Sequence, residues 1–269
     1  MDARINHFTI LSEDNYALGR FYEGFFHMRP AGANGATDAV RLGDGHVGLN
    51  IKPRLPGLRA QLDHFGIEVD DIELAMARIR EGYPEIEWLE HPGGRGKTLF
   101  STHDPAGNVF SLSQAGTEAC KDVYKPDGKA TDRWLDHFAL RVLNPEKVAA
   151  FYAKVFEFSL LERPTAQENF YLSDGRVTLV IIPWRILDFE GTGITARGMD
   201  HIGFRVESID ALQADIDRIT AKNYRFQPRT SIVGRGKEGG GRLIMFRKSC
   251  PLGCHHMADS DGFLLDVRE

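Results

Sequence analysis

Four short stretches of the chain repeat one pattern. Residues 5–11 read INHFTIL, 62–69 LDHFGIEV, 135–142 LDHFALRV and 199–206 MDHIGFRV, with a histidine at the same place in each. Such a repeat constrains the fold more than any single motif. It implies one supersecondary unit used four times, and a unit that cannot bury its own apolar face must pair with another. In the third copy Phe138, Leu140 and Val142 alternate with His137, Ala139 and Arg141, the period-2 pattern of a strand with one packed face. The histidine lies on the other face. Asn144, Pro145 and Glu146 then supply an N-cap, a first-turn proline and a first-turn acid for a helix through AAFYAKVF. The fourth copy alternates Ile202, Phe204 and Val206 with His201, Gly203 and Arg205, and Ser208 caps IDALQADIDRI. NYALGRFYEGFF and DDIELAMARI are the helices of the first two copies.

Short β-rich runs follow the helices. RLGDGHVGLNI (41–51) and YLSDGRVTLVII (171–182) place Asp-Gly between apolar runs, a hairpin signal. The chain therefore reads as an α+β protein of four βαβββ modules, two per half. The polar, Gly- and Pro-containing segment GTEACKDVYKPDGKATD (116–132) separates the halves. The expected division is an N-terminal two-module domain over 1–117, a linker over 118–132 and a C-terminal two-module domain over 133–269.

GRGK recurs at 94–97 and 234–237, and DPAGNVFS (104–111) corresponds to DSDGFLLD (259–266), which points to duplication. The second half carries extra residues between these landmarks, including FRKSCPLGCHH. GGRGKTLF is not a phosphate-binding loop, because His91 stands where that pattern needs glycine. Cys250, Cys254 and the neighbouring histidines have the ligand types of a zinc site but not a strong spacing.

The chemistry concentrates in His137, His201 and Asp266. Two histidines on equivalent strands and an acid on the last strand, on the face opposite Leu265 and Val267, can point into one cleft. Taken singly, each reads better as a polar residue on a half-exposed strand; equivalent placement in a repeat reverses that in favour of a shared ion. Two imidazoles and a carboxylate form the facial triad of non-haem Fe(II), and Mn(II), Zn or Ni can occupy the same donors. The first half keeps His7 and His64, but the position of Asp266 is Ser111, and the end of its first module offers Asn50. Neutral oxygens hold Fe or Zn poorly, so that half is expected to be metal-free, with structural histidines.

These stretches, together with the turn DPAGNVFS, resemble the vicinal oxygen chelate superfamily, which includes glyoxalase I, bleomycin-resistance proteins and type I extradiol dioxygenases. The resemblance covers nearly the whole chain and is strongest to the two-domain extradiol dioxygenases. It implies modules paired into two domains with barrel-like clefts. It also implies Fe(II), or occasionally Mn(II), held at the positions that are here His137, His201 and Asp266. There are departures. Ser260 replaces the usual proline of the last turn, Asp266 is one methylene shorter than the usual glutamate, and His256 stands where the subfamily carries tyrosine. The acid/base histidine implied near 180–187 is missing, so His256, or else His255, is the candidate proton carrier. Trp184, Phe170 and Tyr171 are candidate cleft walls, and Trp184, Tyr171 and Arg247 the candidate substrate-binding residues.

The expected function is extradiol cleavage of a catechol-like ring with O2. The alternatives are a non-redox isomerase, lyase or hydrolase using the same ion, or a small-molecule-binding protein of the resistance type. The expected partners are a small aromatic substrate and O2, and a homo-oligomer is expected. A net charge of −5 offers no basic surface to nucleic acid or anionic membrane. With no long apolar run and only three cysteines, a cytoplasmic location is expected.

Overall fold

A computed structural model of the chain describes residues 1–31, 38–90, 99–116, 131–162, 168–192, 198–228, 244, 247 and 252–269. Both GRGK stretches, Cys120, Cys250 and nearly all of the linker lie outside these residues.

The first module runs β1 (Ala3–Ser12), α1 (Asn15–Phe26), β2 (Arg29–Pro30), β3 (Val40–Gly43) and β4 (Gly48–Pro53). The second runs β5 (Gln61–Val69), α2 (Ile72–Gly82), β6 (Trp88–Glu90), β7 (Leu99–His103) and β8 (Val109–Gln114). In the third come β9 (Trp134–Val142), α3 (Pro145–Phe156), β10 (Ser159–Leu160), β11 (Phe170–Ser173), β12 (Thr178–Pro183) and a short α4 (Ile186–Thr192). The fourth has β13 (Met199–Arg205), α5 (Ile209–Thr220), β14 (His255–Ala258) and β15 (Leu264–Arg268).

Each long helix begins at the capping residue its sequence supplies. Asp14, Asp71, Asn144 and Ser208 accept from the backbone N–H three residues on, satisfying a donor the first turn would leave free. The helix α4 was not anticipated, and no element was expected over its residues. Both Asp-Gly hairpins form, with Gly45 and Gly175 at φ of 97° and 96°, a region open to glycine.

Modules join edge to edge. Strand order is β2-β3-β4-β1-β5-β8-β7-β6 in one sheet and β10-β11-β12-β9-β13-β15-β14 in the other. The central pairs β1–β5 and β9–β13 are antiparallel, so each half carries its two histidine strands side by side. Neither sheet closes among the described residues, which makes the expected barrel-like clefts open troughs instead.

One apolar core spans both halves. Phe138 packs 5.0 Å from Phe8 and 4.8 Å from Phe65, and Phe26 stacks on Phe204 at 3.9 Å. Each buried phenylalanine contributes about 1.5–3 kcal/mol relative to an exposed one. The helices contact across the halves, α1 with α5 and α2 with α3. Reciprocal polar contacts reinforce this. Asp44 in the first hairpin accepts from Leu135 N at 2.9 Å, and Asp174 in the second accepts from Ile5 N at 2.7 Å. Tyr22 donates to Asp259 and Tyr152 to Asp104, each helix of one half reaching the last turn of the other. The phenylalanine faces therefore look inward and the histidine faces outward.

Candidate metal centre

In every one of the four repeats, the residue preceding the histidine is the extra residue of a β-bulge. The register passes from Gly203↔His137 to Phe204↔Leu135, leaving Asp136 unmatched, and from His201↔Ala139 to Met199↔Leu140, leaving Asp200 unmatched. Asn6 and Asp63 are left over in the same way in the first half. Alternation would send neighbours to opposite faces; a bulge turns the extra residue so that it can lie beside the histidine. Asp136 Oδ2 accepts from His137 Nδ1 at 3.0 Å, and Asp200 Oδ2 from His201 Nδ1 at 2.9 Å. Each dyad engages Nδ1, so Nε2 is the ring nitrogen on the side away from its aspartate.

The second half brings His137, His201 and Asp266 together, with their donor atoms all within 4.8 Å of one another. Strand pairing explains it. Gly203 lies opposite both His137 and Asp266, on the strand that separates β9 from β15. A Cβ at Gly203 would sit 2.0 Å from the His137 ring, so only glycine leaves the imidazole room to cross its neighbour. The two imidazoles meet edge to face, 5.6 Å between centroids. His137, His201 and Asp266 are 0%, 1% and 0% exposed.

The donor set fits a cation. Because His137 Nδ1 donates to Asp136, its Nε2 meets Asp266 Oδ2 at 3.0 Å with a lone pair toward an acceptor. Two buried acceptors face one another only with positive charge between them, either a proton on the ring or a metal ion. Asp266 Oδ1 is also buried and lies 3.1 Å from a third imidazole, at His256 Nε2. Burial opposes charge on both groups. Asp136 and Asp266 nevertheless raise the His137 pKa, and His137 with His256 holds the Asp266 carboxyl well below the usual range. The carboxylates Asp136, Asp200 and Asp266 thus form an anionic pocket around two imidazoles.

The stretch with no counterpart in the first half closes over this corner. Gly253 N donates to Asp266 Oδ2 at 2.9 Å, and a Cβ on Gly253 would fall 1.6 Å from Asp266 Oδ1. His256, opposite Asp266 in the β14–β15 register, puts Nε2 3.1 Å from Oδ1.

Comparison with known proteins bears on the fold that holds these residues. Residues 134–267 match the model of the Glyoxalase/Bleomycin resistance protein/Dioxygenase superfamily. Through its C-terminal half the chain belongs to this superfamily. Solved structures extend the likeness across the chain. One is 2,2',3-trihydroxybiphenyl 1,2-dioxygenase from Sphingomonas wittichii RW1, at TM-score 0.65 and 13% identity over 99% of this chain and 90% of that one. Another is the Mn(II)-bound glyoxalase from Novosphingobium aromaticivorans, at TM-score 0.64 and 15% identity over 98% and 80%. A xylose isomerase-like TIM barrel/4-hydroxyphenylpyruvate dioxygenase fusion protein matches at TM-score 0.59 and 13% identity over 98% of this chain, which spans 48% of that protein. At these identities the likeness is one of fold. No curated protein matches the chain.

Other candidate residues of this superfamily member divide. Tyr171 is buried on the histidine face of the second sheet with Ala139, Val180 and Ile182, and Leu252 and Leu264 pack against them. These side chains make an apolar wall along the strands that carry His137. Trp184 is partly buried just past β12, where its N–H bonds Val142 O. His255 pairs with Val267 and shares the core side of its strand, away from the cluster. Arg247 is exposed, and among the described residues no contact joins it to the buried cluster. Sequence reasoning passed over Asp136, Asp200 and Gly253. The repeated Asp-His dipeptide was the available signal for the first two; nothing local marked Gly253.

In the first half His7 and His64 meet in the same way, 5.7 Å apart. Their surroundings differ. His7 Nδ1 bonds Asn6 Oδ1 at 2.7 Å, His64 Nε2 lies 3.3 Å from Thr9 Oγ1, and Ser111 stands opposite Gly66. Burial, then the nearby His64 and Lys52, push the His7 pKa down to about 3, so it is neutral throughout the physiological range.

Proposed function

We propose that the protein is a metal-dependent dioxygenase that opens a catechol-like ring with O2, using Fe(II) held by His137, His201 and Asp266. The observation that carries this reading is the convergence of two buried imidazoles and one buried carboxylate, with donor atoms within 4.8 Å, at one end of an apolar wall. The ion, when bound, would chelate the diol oxygens, lower the pKa of the hydroxyls and bring O2 beside the activated ring. Ala139, Tyr171, Val180 and Ile182 would pack the ring and keep water from it. The histidine face of β12 presents Thr178, Val180 and Ile182, none of them a proton carrier at neutral pH. That task would fall to His256 at Nε2, 3.1 Å from Asp266 Oδ1 and next to the site without being one of the three ligands.

A second reading is favoured by the likeness to an Mn(II)-bound glyoxalase. The same residues would then hold an ion that stabilises an enolate-like oxyanion, without O2. Oxygen consumption separates the two. Protein loaded with Fe(II) under anaerobic conditions, then mixed with O2 and a panel of catechols, should consume O2 with at least one of them, and His137→Ala should not. No uptake with any catechol, together with isomerase or lyase turnover restored by Mn, Ni or Mg, would replace the first reading with the second. Stoichiometric ligand binding that survives chelation and His137→Ala would reject both in favour of a binding protein. No helix among the described residues is long and apolar enough to cross a membrane.

A further inference from the structure

Behind each candidate ligand histidine lies a carboxylate, and behind each carboxylate an arginine. Asp200 uses both oxygens: Oδ2 accepts from His201 Nδ1 at 2.9 Å, and Oδ1 accepts from Arg141 Nε at 2.7 Å. Asp136 repeats the arrangement, with Oδ2 facing His137 Nδ1 at 3.0 Å and Oδ1 accepting from Arg268 Nη2 at 2.7 Å. Arg141 is 3% exposed and lies 3.6 Å from a second buried carboxylate, Asp188 of α4. A guanidinium buried this deeply is costly unless its carboxylates are held in place, so the Arg141 arm is fixed geometry and not a surface pair.

The first half lacks this outer layer. By register, Leu11 stands where Arg141 does and Ser113 where Arg268 does, although the histidine pair and both bulges are retained. The arginines therefore accompany the carboxylate of the site, and not the fold.

We propose that Arg141 and Arg268 are positioning residues of the centre, each locking an aspartate in the bridging pose that aims a histidine Nε2 at a shared metal ion. The inference rests on the metal reading above. With Oδ1 engaged by an arginine, Asp136 and Asp200 cannot rotate inward and become ligands themselves. A lysine in place of Arg141 would keep the charge but not the planar fork that addresses Asp200 and Asp188 together.

Co(II) titration against a competing chelator tests this on the whole protein, without substrate. Wild-type protein should bind one equivalent with tight affinity and give the visible absorption of Co(II) in a nitrogen- and oxygen-donor site. Arg141→Gln should lower that affinity about 10–100-fold, as losses behind metal ligands do, and shift the absorption bands, with Arg141→Lys intermediate. A purely structural role would lower the melting temperature of the metal-free protein while leaving Co(II) affinity and bands unchanged, and that result overturns the proposal. Should Arg141→Gln fail to fold, Arg268→Gln decides the matter, because that side chain is 30% exposed. A tenfold loss of Co(II) affinity there upholds the proposal, and an affinity within twofold of wild type overturns it. If the wild-type protein itself takes up no Co(II), the metal reading falls and takes this inference with it. If the wild type binds and the variants bind equally well, only the inference fails.

Discussion

The two halves of this molecule share a skeleton and differ in charge. Each lays two histidine strands side by side, places a glycine where the first imidazole crosses the second strand, and bulges at the residue before each histidine. From there they part. The first half surrounds its imidazoles with Asn6, Thr9 and Ser111 and gives only His64 a carboxylate partner, Asp63, so His7 has a neutral amide at Nδ1 and stays uncharged. In the second half Asp136, Asp200 and Asp266 form an anionic pocket that leaves two acceptors face to face. The backbone device that gathers two histidines is thus separable from the charges that would make them a metal site.

The sharpest way to break this contrast is to remove one histidine from each half. His137→Ala should abolish metal retention and turnover, exceeding the roughly 100-fold loss typical of an outer-layer change. His7→Ala should leave metal content unchanged by elemental analysis. Equal metal loss in both variants would end the distinction.

The buried turn aspartates give the next largest effect. Burial foremost raises the Asp259 pKa to about 7, despite Tyr22 and the turn amides that donate to it. Asp104 is also raised, but Asn108 Nδ2 donates to its carboxylate. A folded pKa above the unfolded one means the native state binds the proton more tightly. That contribution to stability is complete below about pH 4 and is lost as pH rises through 7, on the order of 4 kcal/mol in all. Denaturant melts from pH 4 to 8 should therefore flatten in Asp259→Asn more than in Asp104→Asn; an unchanged slope would show that Asp259 is ionised throughout.

Gly66→Ala and Gly203→Ala should each destabilise by roughly 1–3 kcal/mol, since either Cβ would meet a histidine ring near 2 Å. Only Gly203→Ala should also lower metal affinity, measured by Co(II) competition. The smallest expected effect is a gain. Ser111→Asp should raise the His7 pKa from about 3, read by NMR titration, and create a second, weaker Co(II) equivalent. A His7 titration unmoved by the new carboxylate would mean that Ser111 does not occupy the position equivalent to Asp266.

Much of this was legible along the chain. Period-2 alternation, capping residues and Asp-Gly turns are local signals, and they located the helices, the hairpins and the outward face of the histidines. The repeat itself supplied the long-range information, because equivalent strands of paired modules must fall side by side. The bulges were not legible: a bulge is set by how two strands match across the ladder, which no single strand records. For that reason Asp136 and Asp200 were passed over, and the choice of His256 over His255 rested on resemblance alone until the β14–β15 register assigned them opposite faces. The segment after β12 was assigned no element, yet it turns into α4, where Asp188 meets Arg141.

Sequence alone determined the modular α+β plan, the equivalence of the four histidines and the carboxylate that only the second half possesses, because repetition and periodicity are written in neighbouring residues. Tertiary structure alone decided that one core joins the halves, that the aspartates turn beside their histidines, that Gly253 closes on Asp266 and that two arginines stand behind the dyads. These depend on distances between residues far apart in the chain, and such distances are set only when sheets pair and the core packs.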